Sequence, residues 1–233
     1  MNYEKKSRKF VGLFCGMLIV ISFNFVFIPE EVKSESGPPW VNLDEMGFSS
    51  DFIDTLSTEL YCPRFVQNTN WETLITLSNP SENKAFIDIF YFDEDGYYID
   101  DFNTEIESKD TIDFISTDHG IQNEAGSIII SSNIPIFGNI IYYSEYCAAS
   151  EPLQSNPSTT LYCSGFYQSV DWETWICINN INGTSSSITL TYYDENGNSI
   201  DTFIDTLSPK EQRYFRPSVD GITDTFGSVI VQS

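Results

Sequence analysis

The chain has 233 residues, 41 % of them apolar and 15 % aromatic, with 34 acidic against 11 basic residues and a net charge of −23. That length allows one or two domains with real cores, and the charge argues against nucleic acid or anionic lipid headgroups as partners. A single histidine excludes a histidine-rich zinc centre.

Lys5, Lys6, Arg8 and Lys9 precede an apolar run from Phe10 to Ile28. Basic residues followed by an apolar stretch are the pattern of a secretory signal. The run of about 19 residues exceeds the usual ~7–15 of a signal core and approaches the ~20 that span a bilayer as a helix. Residues 1–36 are therefore expected to form a hydrophobic export helix, either cleaved near Ser34 and Ser36 or retained as a membrane anchor through 10–28. Cys15 lies inside the apolar run and not at its end, which argues against lipidation. The rest of the chain is expected to be extracellular or at the cell surface.

Residues 37–58 read as a linker, and a repeat organises the remainder of the chain. Leu60-Tyr61-Cys62 recurs as Leu161-Tyr162-Cys163, Trp71-Glu72-Thr73 as Trp172-Glu173-Thr174, and Gly126-Ser127 as Gly227-Ser228. Every pair is separated by 101 positions, and 26 of the 74 positions compared between 59–132 and 160–233 are identical. Chance gives roughly a fifth of that, so the segment is duplicated. The predicted domains are 59–147 and 160–233, with a second linker at 148–159.

Each copy reads as β. Phe86–Phe92 and Ile188–Tyr192 are rich in aromatic and β-branched residues that suit a pleated, half-buried surface. Asp95-Gly96 and Asn196-Gly197 are hairpin signals. Strands are predicted near 60–67, 71–78, 86–93, 97–102, 110–115, 126–132 and 136–144. The expected fold class is all-β, two tandem antiparallel β-sandwiches of about seven short strands each. The second copy has no counterpart of the strand at 136–144. Two accounts offer themselves: a truncated reading frame, or an edge filled by another chain.

Cys62, Cys147, Cys163 and Cys177 remain beyond the export segment, an even number consistent with disulfides. The pairing Cys62–Cys147 with Cys163–Cys177 keeps each bridge within one copy. Asp93-x-Asp95-Gly96 resembles the opening of a calcium loop, weakened to Asp194 and Asn196 in the second copy. Thr104 stands where a bidentate glutamate is required, so a metal-free hairpin is the stronger expectation and no cofactor is implied. Glu72 and Glu173, beside Trp71 and Trp172, are the candidate ligand-binding residues. In a strand the tryptophans face one side with Thr73 and Thr174, and the glutamates face the other. His119 has no histidine partner and reads as a loop residue.

The runs Trp175–Asn180, Ser187–Tyr193, Phe215-Arg216-Pro217 and Gly227–Ser233, with Ser131–Ile136 in the first copy, resemble the sensory rhodopsin transducer family. That resemblance implies a compact all-β sandwich, oligomers, and a binding role in place of catalysis. It transfers no functional residue. Those proteins are small, single-domain and cytoplasmic, whereas this chain is tandem and carries an export segment. The functional expectation is an exported, non-catalytic structural or binding module with a protein or glycan partner. The alternatives are a carbohydrate-binding protein with an aromatic platform in both copies, and a carboxylate-dependent glycoside hydrolase.

Overall fold

The computed structural model describes residues 10–15, 24–26, 56–144, 148–169 and 172–233. Of the 1–36 segment it describes two short strands, β1 (Phe10–Cys15) and β2 (Asn24–Val26). The export helix expected there otherwise lies outside the described residues. No described helix is long and apolar enough to cross a membrane.

The first copy forms β3 (Ser57–Gln67), β4 (Glu72–Ser78), β5 (Ala85–Asp93), β6 (Tyr98–Ile106), β7 (Thr111–Ile115), β8 (Glu124–Tyr143) and β9 (Ala148–Pro152). The second forms β10 (Thr160–Gln168), β11 (Trp172–Asn179), β12 (Ser186–Asp194), β13 (Ser199–Leu207), β14 (Gln212–Phe215) and β15 (Thr225–Gln232). The only helical element among the described residues is a 3-10 turn at Ser116–His119. The chain is thus all-β, with antiparallel sheets in a sandwich-like arrangement.

The alternation that forms the strands also forms the core. In β5, Ala85, Ile87, Ile89 and Tyr91 are buried while Phe86 and Asp88 face water. In β12, Ile188, Leu190 and Tyr192 repeat the pattern. Two hydrophobic clusters result, one centred on Leu60, Ile75, Ile87 and Tyr91, the other on Leu161, Ile176, Ile188 and Tyr192.

The strands predicted at 126–132 and 136–144 are one strand of 20 residues, β8, which passes from one sheet into the other. Its first half lies between β3 and β5; from Phe137 onward it pairs with β4 and β9. Pro135 lies between the two predicted strands. It falls between the last pair with β5, at Ser132, and the first with β4, at Phe137, where its missing N–H costs no ladder bond. Residues 148–154, read as linker, also contribute to the fold. β9 extends the β8 ladder, Leu153 enters the first cluster, and Gln154 exchanges backbone bonds with Tyr61 at 2.8 and 3.0 Å.

The copies also touch each other. Trp175 and Tyr214 of the second pack against the first cluster, and Arg64 lies over the Tyr214 ring at 4.9 Å. The Gln212 N–H donates to the Glu94 carbonyl at 2.9 Å.

Candidate functional site

The polar residues common to both copies hold the fold. Thr73, 2 % exposed, accepts from the Val66 N–H at 2.9 Å and donates to the Val66 carbonyl at 3.1 Å. Thr174 does the same with Tyr167, at 2.8 and 3.1 Å. The recurring Trp-Glu-Thr motif thus carries a threonine that ties two successive strands together where hydrogen-bond partners would otherwise run out. Buried Asn79 donates its side-chain amide to the carbonyls of Asn83, Ile106 and Glu107, and Asn180 donates to Thr184, Leu207 and Ser208. These asparagines bind one loop to the end of the next strand. Neither role has a local signature beyond recurrence.

The sequence-predicted ligand residues take similar duties. Trp71 is half-buried and packs against the first cluster. The Tyr143 hydroxyl donates to Glu72, its register partner across β4 and β8. Burial first, and then this bond, push the Tyr143 pKa upward. The side chains of Trp172 and Glu173 lie outside the described residues.

The acidic turns cap themselves. Asp93 accepts from the Tyr97 N–H at 2.8 Å, and Asp194 accepts from the Asn196 and Asn198 N–H groups at 2.9 and 2.8 Å. Hydrogen bonds from Asn198 and Asn196 hold the Asp194 pKa below its ordinary value. Asp93, Glu94 and Asp95 line an open cleft of about 310 Å³ with Asn68, Asn123, Glu124 and Ala125. Asp194 belongs to a different hairpin. Among the described residues no group of three or more histidine, cysteine or acidic side chains is placed to hold a metal ion.

The expected Cys163–Cys177 bridge is absent, for both thiols are free and buried. They face opposite ways. Cys163 belongs to the second cluster, and its thiol donates to the Gly165 carbonyl at 3.3 Å. Cys177 turns toward the first copy, its Sγ 3.7 Å from the Pro63 carbonyl oxygen. Cys62 is a free thiol in the first cluster; Cys147, and with it the Cys62–Cys147 pairing, lies outside the described residues.

What distinguishes the copies is surface and buried charge. On β10 and β15 of the second, Tyr162, Tyr167 and Phe226 are 60, 49 and 49 % exposed. Tyr167 and Phe226 are cross-strand partners whose rings lie nearly parallel, 6.1 Å apart at 22°. Their counterparts in the first copy are Val66, which is buried, and Ala125. The platform is therefore not repeated, contrary to the condition set for a carbohydrate binder with equivalent sites. The first copy has Glu151 instead, 2 % exposed on β9. Burial pushes its carboxyl up to about 8, against the opposing pull of Tyr142 and Arg64.

No family model matches the chain, and no curated protein does. Among solved structures it is similar to Thermotoga maritima 1070 at 16 % identity, over 44 % of this chain and 97 % of that one, with a TM-score of 0.38. It is also similar to the Anabaena sensory rhodopsin transducer at 13 % identity, over 35 % of this chain and 91 % of that one, with a TM-score of 0.30. The resemblance to the transducer is thus a distant one.

Proposed function

We propose that this chain is an exported, non-catalytic structural or binding protein of two tandem β-sandwich domains, 59–147 and 160–233, held outside the cytoplasm. Its N-terminal segment 1–36 serves as cleaved signal or anchor. The supporting observation is the division of labour between the copies: shared polar residues hold the fold, while the unshared Tyr167 and Phe226, beside Tyr162, make an exposed face. An aromatic ring left in water forgoes the burial it ordinarily gains, and parallel rings offer a flat apolar platform.

That platform favours carbohydrate as a second reading, since the apolar face of a sugar ring stacks on such rings. Glycoside hydrolysis has less support, because Glu72 is already engaged by Tyr143. Glycan-array and polysaccharide pull-down assays test the binding reading. Tyr167→Ala and Phe226→Ala are each expected to lower affinity several-fold, in line with ~0.5–1.5 kcal/mol per aromatic contact. Trp71→Ala, which touches core and not platform, should lower stability instead. Absence of glycan binding removes the carbohydrate reading, and binding that survives loss of both rings removes the platform as its site.

A further inference from the structure

We infer that the outer face of the strands β10, β15, β12 and β13 is a binding face for an uncharged polysaccharide chain laid across them. This rests on the carbohydrate reading above and extends it beyond the two stacked rings. The register places outward side chains in rows that cross all four strands. One row is Thr160, Gln232, Thr189 and Ile204; the next is Tyr162, Ile230, Thr191 and Thr202. Leu161, Val231 and Leu190, next to them along the strands, are buried in the second cluster, so the rows face outward. Neither row carries a formal charge. The first copy has the same rows with acid in them: Glu59, Ser131, Asp88 and Asn103, then Tyr61, Ile129, Phe90 and Asp101. Glu59, Asp88, Asp101 and, one row beyond, Glu105 correspond to Thr160, Thr189, Thr202 and Thr206 at the 101-residue spacing. Four carboxylates are replaced by four threonines on one face of a chain whose net charge is −23.

The replacement selects the partner's chemistry. A hydroxyl donates and accepts, as a sugar hydroxyl does, whereas a carboxylate only accepts and must be stripped of water to meet an uncharged ligand. Threonine keeps hydrogen-bonding capacity and removes that desolvation penalty. Tyr167 and Phe226, on the same face, add parallel rings, and Tyr162 a third exposed one, on which the apolar sides of sugar rings stack. Three strand spacings make the rows roughly 14 Å wide, room for several linked sugars and not one ring alone. A protein partner matches this face less well, since the anchors of protein interfaces favour Trp, Tyr and Arg and underuse threonine. An acidic polysaccharide is repelled by the chain's overall charge.

Affinity electrophoresis of the full-length chain through gels containing hydroxyethyl cellulose, galactomannan or polygalacturonate tests the face. At least one of the two uncharged polymers is expected to retard the chain, polygalacturonate is not, and the retardation should not change between low and high NaCl. Thr189→Asp/Thr202→Asp gives these positions the acids of the first copy and is expected to weaken binding at least tenfold. Thr189→Ser/Thr202→Ser, which keeps the hydroxyls, should bind like the parent. Should the aspartate pair fail to fold, Thr202→Asp alone, at an exposed position, takes its place with a loss of at least threefold. Binding that is lost in Tyr167→Ala/Phe226→Ala but intact in the folded aspartate variant overturns the inference and leaves the carbohydrate reading standing. Stronger retardation by polygalacturonate, or retardation that fades with salt, does the same. Absence of retardation by both uncharged polymers overturns the inference, and with a blank glycan array the carbohydrate reading falls too. Self-association in sedimentation that the aspartates abolish assigns the face to a second copy of this chain and also overturns it.

Discussion

His119 and Asp220 stand at equivalent positions and cap a buried tyrosine with different chemistry. Tyr91 Oη lies 2.6 Å from His119 Nδ1, and the Tyr192 hydroxyl donates to Asp220 at 3.2 Å. His119 also stacks on Phe102 at 3.8 Å and Phe114 at 4.9 Å, and burial lowers its pKa. The unfolded chain therefore takes up this proton near pH ~6.5, before the folded one does, and stability is lost as pH falls through the folded value. Glu151 works in the other direction. With its carboxyl raised from 4.5 to about 8, the folded chain keeps a proton that the unfolded chain gives up, so stability falls as pH rises across that window. Thermal denaturation between pH 5 and 8.5 should show both arms, His119→Gln flattening the acid arm and Glu151→Gln the alkaline one. An unchanged acid arm in His119→Gln would refute the assignment. The alignment of His119 with Asp220 was legible in the sequence, but not their tyrosine partners, 28 residues away in each copy. Glu151 was illegible, because its burial depends on β9 pairing with β8 in a stretch that reads as linker.

Strand positions followed well from alternation and turn residues, because period-2 burial and Asp-Gly or Asn-Gly hairpins act locally. β8 did not, since whether Pro135 ends a strand depends on which partners lie beside it. Gly227 shows how closely such partners approach. A Cβ there would lie 1.8 Å from the Tyr193 carbonyl oxygen, within the β12–β15 ladder. Gly227→Ala must push these strands apart and is expected to destabilise by about 2–4 kcal/mol, in the range of other backbone and overpacking disruptions. Gly183, with nothing within 4 Å, is the control: Gly183→Ala should lie within about 0.5 kcal/mol of the parent. Urea denaturation midpoints decide, and equal midpoints for the two variants would contradict the close approach.

The contact between the copies was written in their differences. Leu74, Thr76 and Asp113 correspond to Trp175, Cys177 and Tyr214, so the outer face of β11 and β14 becomes larger and more apolar where it meets the first copy. Without a fold those substitutions read as drift; with one they mark a junction. Gly96 lies in it, at φ 87°, where a Cβ would come 2.3 Å from the Pro209 carbonyl oxygen. Gly197 has a matching φ of 82° with nothing within 4 Å. Both alanine variants bear the left-handed backbone cost of roughly 1–2 kcal/mol, but only Gly96→Ala also wedges the copies apart. It is therefore expected to have the lower urea midpoint and faster proteolysis between residues 154 and 160; identical behaviour would place the junction elsewhere. The 20-residue β8, threaded through both layers of the first copy, has a mechanical consequence. A pull along the chain meets that copy in shear, with both layers loaded through one backbone. In the second copy β15 pairs with β10 and β12 among the described residues, so tension along it passes into those two neighbours.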